Sequence, residues 1–228
     1  MRLEETGLLM PDAYNEELER IIEQNSTRVT YPAKTLFSVP GSNFGGVLYI
    51  KSGRTKHFMA NEDGLEKVLY ALTPGWLFGE MGFYLGRKTG LYSQAETDVV
   101  LYKIPADKVR QLLDSSPVFR DSFIRCLATK LLITRFEIEN LTFNSCKDRI
   151  ARLLCSSVDR DAEADPGWYE LKVKYTHYEL GVVVGAARVT VSKLMNELAN
   201  EGFIRSVNRR IQVNCSKYEC YMREFTEK

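Results

Sequence analysis

Residues 176–213 read THYELGVVVGAARVTVSKLMNELANEGFIRSVNRRIQV, and this stretch decides how the C-terminal third folds. Thr176 is placed to cap a short helix whose buried face is Leu180, Val183 and Val184. Gly185-Ala186-Ala187 is a compact turn, small enough for two helices to pack close. Val189 and Val191 begin a second helix with Leu194 and Leu198 on its core face, and Gly202 ends it. FIRSVNRRIQV, residues 203–213, reads as two strands turning at Asn208-Arg209. Two helices, a tight turn and a hairpin make a helix-turn-helix with a wing. Arg188, Val189, Ser192 and Lys193 fall on the early turns of the second helix, from which side chains reach base edges in a major groove. Thr176 and Arg209 join them as candidate DNA contacts, and His177 is either a phosphate contact or a surface cap.

Upstream, WYELKVKYT (168–176) reads as a strand and DRDAEADPG (159–167) as a polar, acidic loop. Residues 147–158 form a helix with Ile150, Leu153 and Leu154 inward. Ser115-Ser116-Pro117 opens a longer helix that runs to about Asn144 without an interior Gly or Pro. Along it Ile124, Leu127, Leu131, Thr134, Ile138 and Leu141 recur at alternating spacings of three and four, a heptad seam. Such a seam packs either on the chain's own sheet or on a second copy. Lys130 lies beside it, so its ammonium either snorkels to water or meets an anion.

From residue 28 to residue 104 the texture is different. VLYIKSG, TKHFMA, EKVLYAL, LYSQAET and VVLYKI are strands cut by turn pairs such as Pro40-Gly41, Asp63-Gly64 and Pro74-Gly75, a pattern of sandwiches and barrels. Residues 107–113 form a short helix, and another is expected over 12–25 with Asp12 as its cap. The fold class is therefore α+β: an N-terminal antiparallel β-roll, a long helix and a C-terminal winged helix-turn-helix. The expected domains are 1–114 for sensing, 115–144 as the dimerisation helix and 145–228 for reading DNA.

Charge and composition narrow the function. The net charge is +1, so nucleic-acid affinity must be local. Between Arg188 and Lys217 six Lys/Arg face two Glu, the right sign for phosphate contact. No apolar run reaches the roughly 18 residues of a membrane span, and the first twenty residues lack the layout of a signal peptide, so the cytoplasm is the expected compartment. The five cysteines match neither a disulfide framework nor a zinc finger, and packing roles are expected for them. Cupin-type metal chemistry needs several clustered histidines, and His57 with His177 cannot supply it. No nucleophile–base pair or phosphate loop stands out. An enzyme is not expected, nor a metal or a cofactor.

In their order along the chain, the strands, the FGEMGFYLG loop (78–86), the long helix and TVSKLMNELANEGFI (190–204) resemble the CRP/FNR family of bacterial transcription regulators. The resemblance implies a cyclic-nucleotide-binding-like roll, a homodimer, a two-fold symmetric DNA site, activation of transcription and RNA polymerase as a partner, with no membrane. It also implies that Gly79, in the loop, borders a ligand. The family's Arg-Ser pair for a cyclic phosphate falls here on Thr89 and Gly90, with Arg87 and Lys88 nearby. An iron–sulfur sensor needs about four thiolates, and the first cysteine is Cys126. His57, mid-strand, is expected to be structural rather than a haem ligand.

Within the family the shorter matches resemble the CprK branch, regulators of reductive dehalogenation (halorespiration) that respond to chlorinated phenols. EKVLYAL places Tyr70, ATKLL places Lys130 and GLYSQAE places Thr89 at ligand-contacting positions of that branch, while Leu127 stands where it has a tyrosine. The implied effector is a small aromatic anion such as a chlorophenol. A chlorinated phenol ionises near neutrality, whereas an unsubstituted phenol, like tyrosine, has a pKa of about 10. The alternative is a regulator of the same family that answers to another small molecule or to none. The cysteines of that branch's redox-linked pair have no counterpart here. Many relatives carry Glu where this chain has Val189, which touches a thymine methyl but accepts nothing from cytosine, so the half-site should lean towards A·T.

Overall fold

The computed structural model describes residues 13–226, and the side chains of all of these but 161–164 and 222–226. The expected cap Asp12 lies outside the described residues. The first helix, α1 (Glu16–Gln24), is instead capped by Asn15, whose side chain accepts from the Leu18 amide at 2.9 Å. Its apolar stripe, Leu18 and Ile22, is buried.

The roll consists of two antiparallel four-stranded sheets. In the first, the order is β1 (Thr27–Tyr31), β8 (Val99–Pro105), β3 (Gly46–Ser52) and β6 (Leu77–Phe78). In the second it is β2 (Leu36–Ser38), β7 (Tyr92–Ala95), β4 (Thr55–Ala60) and β5 (Glu66–Leu72). All five strands read from sequence are present. β8 keeps its alternation, burying Val99, Leu101 and Ile104. β3 lies second from its sheet's edge, and its run Gly46–Ile50 is buried throughout. Tyr49, Ile50, Leu72, Leu77, Leu101, Ile104 and Phe119 form the heart of the core.

Between β6 and β7 the short helix α2 (Glu80–Leu85) starts from Gly79, whose φ of 96° is open chiefly to glycine. A Cβ there would also approach the Gly46 carbonyl and the Phe44 ring to 3.1 Å. Helix α3 (Ala106–Ser115) leads into α4 (Pro117–Phe143), the long helix expected from Pro117 onward. One face of α4 buries Phe119, Phe123, Cys126 and Lys130. The heptad seam is a different face: Ile124, Leu127, Leu131, Ile138 and Leu141 are all exposed, Leu131 to 72%.

The chain divides into two compact units, one containing residues 68–137 with the described part of 7–60, the other residues 61–67 with 138–226. In the second unit α5 (Cys146–Ser156) begins at a capping box in which Ser145 and Asp148 satisfy each other's amides. The acidic segment expected as a loop is instead strand β9 (Val158–Asp165). It is the edge of the sheet β11–β12–β10–β9, paired with β10 (Trp168–Leu171) through two register shifts. An edge strand needs partners on one side only and tolerates charge, which is why its composition resembles a loop. The next expected strand keeps only its first four residues. Then follow α6 (His177–Val184), α7 (Arg188–Asn200), the hairpin β11 (Ile204–Val207) and β12 (Arg210–Asn214), and α8 (Cys215–Thr226), which the sequence reading did not foresee. No helix among the described residues is long and apolar enough to cross a membrane.

Candidate functional site

Two regions gather the candidate residues, one in each unit. In the roll, a cavity of about 40 Å³ opens beside α2. Its walls bring together three expected ligand residues, Tyr70, Gly79 and Thr89. They also include His57, Glu80 and Ser93, which the sequence reading did not assign to a ligand. Arg87 supplies the lining's one cation. Leu127 is not among these walls; it sits on the exposed seam of α4.

Lys130 reaches the same neighbourhood from α4 and is 7% exposed. Its ammonium donates to the Leu77 carbonyl at 2.8 Å and to Glu80 Oε1 at 2.9 Å, and lies 5.6 Å from the centre of the Tyr70 ring. The snorkelling alternative is thereby removed, because the charge is buried and paired. A buried pair is held against desolvation by its other hydrogen bonds, and this one is incomplete: Glu80 Oε2 is buried with no hydrogen-bond partner among the described residues. Burial pushes the Tyr70 phenol up, and the Glu80 carboxylate adds to the shift, so the ring stays neutral.

His57 is fully enclosed between the rings of Tyr70 and Phe78, at centroid distances of 5.2 and 4.9 Å. Desolvation, with the nearby Lys130 charge second, lowers its pKa to about 3. Nε2 lies 3.0 Å from Thr55 Oγ1 and Nδ1 lies 3.0 Å from Ser93 Oγ.

The second region is built on α6 and α7. Thr176 and Glu179 form a capping box at the start of α6. The turn works as expected at Gly185, whose φ is 72°. The tightest approach, however, is at Gly181, where a Cβ would meet the Ala186 carbonyl oxygen at 2.5 Å. On α7, Val191, Met195 and Leu198 face inward, while Val189 is 81% exposed. Asn208 and Arg209 both take positive φ, 50° and 61°, which fixes the wing tip between β11 and β12.

The structure also sorts five of the six cations counted from sequence. Arg205 pairs with Asp165, bonds Gln212 and lies over Trp168; Arg210 pairs with Glu170. Both are committed to the wing sheet. Lys193 lies 4.0 Å from Glu197. Among the described residues the guanidinium groups of Arg188 and Arg209 have no ion-pair partner. The Ser192 hydroxyl donates to the Arg188 carbonyl at 3.0 Å, and His177 Nδ1 lies 2.8 Å from it. His177 and Ser192, both expected to touch DNA, thus hold each other across the two helices.

Known proteins match this arrangement along most of the chain. The cyclic nucleotide-binding domain matches residues 28–116, and the Crp-like helix-turn-helix domain matches residues 148–215. The chain is 28% identical over 185 residues to the cAMP-activated global transcriptional regulator CRP of Salmonella typhimurium, covering 80% of this chain and 87% of that one. Among solved structures, the c-di-GMP responsive global regulator CLP of Xanthomonas campestris aligns with a TM-score of 0.75 at 24% identity, over 88% of this chain and 99% of that one. The OCPA-complexed CprK aligns with a TM-score of 0.65 at 22% identity, over 90% and 94%. These two structural likenesses show the fold.

Proposed function

The chain belongs to the CRP/FNR family of transcription regulators, and from that premise we infer that it binds a two-fold symmetric DNA site as a homodimer under the control of a small molecule held in the roll. Its homologues and their folds are regulators rather than enzymes. The observation that carries the dimer is the exposed seam of α4, five large apolar side chains at heptad spacing that a monomer would leave in water. Two copies joined along it present two α7 helices, and half-sites then lie about one DNA turn apart, roughly 34 Å. Arg188, Val189 and Lys193 read bases or phosphates from α7, with Thr176, His177, Ser192 and Arg209 positioning the head on the backbone. RNA polymerase is the partner such an activator addresses.

The effector we propose is an acidic phenol, of which a chlorophenol is the type. Lys130 is the anion's partner, with Tyr70 beside it and Gly79 and Thr89 at the cavity wall. Glu80 and the Leu77 carbonyl already take two of the three N–H groups of Lys130, so the phenolate joins the pair by accepting the third. A neutral phenol brings no charge to that contact, and displacing Glu80 instead would leave its charge alone in the interior at a cost of about 3–5 kcal/mol. Discrimination is therefore by acidity. A 40 Å³ space holds little more than water, so a ring enters only as α2 and its flanking turn give way. Ligand then selects the dimer geometry it binds better, and shifts the population only by that difference.

One observation favours a second reading. Glu80 Oε2 has no hydrogen-bond partner among the described residues and Arg87 lines the same cavity, a donor-seeking carboxylate and a cation that suit a hydroxyl-bearing phosphate such as the cAMP of the CRP relatives. Thr89 and Gly90 at the Arg-Ser positions weigh against it. Operator binding measured with 2,4-dichlorophenol and with cAMP separates the two. The phenol is expected to enhance binding by the wild type and not by Lys130→Met. An unchanged phenol response in Lys130→Met, or a response to cAMP alone, contradicts the acidic-phenol reading.

A further inference from the structure

Strand geometry puts Thr55, His57 and Ser93 on one buried face. Thr55 and His57 are two apart on β4, so they point the same way, and His57 stands directly opposite Ser93 in the β4–β7 register. All three are almost wholly buried, Thr55 at 0% and Ser93 at 2% exposure. Only His57 and Ser93 reach the cavity wall; Thr55 does not.

The hydrogen-bond inventory of this triad leaves one hydroxyl proton unplaced in either tautomer, and burial decides which. With its proton affinity so reduced, the imidazole is neutral at ordinary pH and carries a single N–H. One hydroxyl must therefore donate to the ring and the other must accept from it. A hydroxyl that accepts still has its own proton to place. Among the described residues the ring is the one hydrogen-bond partner of Thr55 Oγ1, and Thr55, unlike Ser93, has no cavity beside it in which its proton could find an acceptor. A buried donor left unmade is costly. Hence Thr55 donates to Nε2, and Nδ1–H donates to Ser93 Oγ. The Ser93 proton is then the one left over, and Ser93 borders the cavity.

We propose that Ser93 is a ligand-reading donor whose proton is aimed into the effector cavity by His57, a positioning residue, so that the effector must present a hydrogen-bond acceptor to Ser93. The inference rests on reading the cavity as the effector site, and it adds a polarity requirement that Lys130 does not impose. A phenolate oxygen, a carboxylate or a phosphate oxygen satisfies it; a hydrocarbon or halocarbon ring of equal shape does not.

Two measurements on the full-length protein test it. Long-range proton–nitrogen correlation reads the ring without any ligand, and because the chain has two histidines, His57→Gln assigns the signals. Nδ1 is expected as the protonated nitrogen and Nε2 as the bare one; the opposite tautomer overturns the proposal. Calorimetric titration with 2,4-dichlorophenol and with cAMP then reads its use. Ser93→Ala should weaken whichever probe the wild type binds by about tenfold, while Ser93→Thr, which keeps the hydroxyl, retains the affinity. Equal affinity in Ser93→Ala overturns the proposal even with the expected tautomer. A wild type that binds neither probe counts against the proposed effector classes, and the tautomer then decides the inference.

Discussion

A lysine beside an apolar helical repeat invites two explanations, and Lys130 shows why sequence could pose them but not choose. The oddity of the charge was legible from its neighbours Leu127 and Leu131. Its partner was not, because Glu80 lies 50 positions away and meets it only once α2 and α4 are placed. His57 was legible as a mid-strand residue, but its two hydroxyls depend on a register that pairs it with Ser93. The buried ring has a measurable consequence. It binds a proton only near pH 3, whereas an exposed histidine does so near 6.5. Between these values the unfolded chain holds more protons, so stability falls as pH drops, by about 2 kcal/mol from pH 6.5 to 5. Urea denaturation at the two pH values should show this slope in the wild type and a flatter one in His57→Gln; identical slopes would refute it. At the reading head, Val189 stands free at the start of α7. Val189→Glu should move selection from a random DNA pool towards a G·C pair at one position of each half-site, and an unshifted consensus would count against α7 as the reader.

At the scale of elements, periodicity was the reliable guide and composition the poor one. The helix-turn-helix emerged from Leu180, Val183, Val191 and Leu198 because a 3.6-residue repeat survives any tertiary context. The acidic 159–165 segment misled because an edge strand is held by backbone bonds that leave no mark on side-chain choice. The turn was found, but its tightest point, Gly181, was hidden inside an ordinary helical run. On α4 the sequence revealed the seam without saying what it faces; the structure shows one face buried in the roll and the seam in water. Leu131→Lys tests the seam alone. In a two-fold interface each such leucine is buried twice, at about 1.5–3 kcal/mol per side chain. Dissociation should rise by at least about 100-fold with unchanged circular dichroism. A variant that remains as dimeric as the wild type would remove the seam from the interface.

For the whole molecule, the account joins a polar cavity, an exposed helical seam and a reading head in one 26.1 kDa chain. None of the three suffices alone. Of the six cations between Arg188 and Lys217, Arg205 and Arg210 are committed to the wing sheet and Lys193 lies beside Glu197, which leaves a single head few phosphate contacts for tight binding at physiological salt. Affinity and effector control therefore both depend on pairing. Sedimentation equilibrium of the full-length protein, with and without a palindromic A·T-rich duplex, tests this most directly. Twice the chain mass in free solution and two chains per duplex are predicted. A species of 26.1 kDa at every working concentration, binding DNA one chain at a time or not at all, would contradict the account.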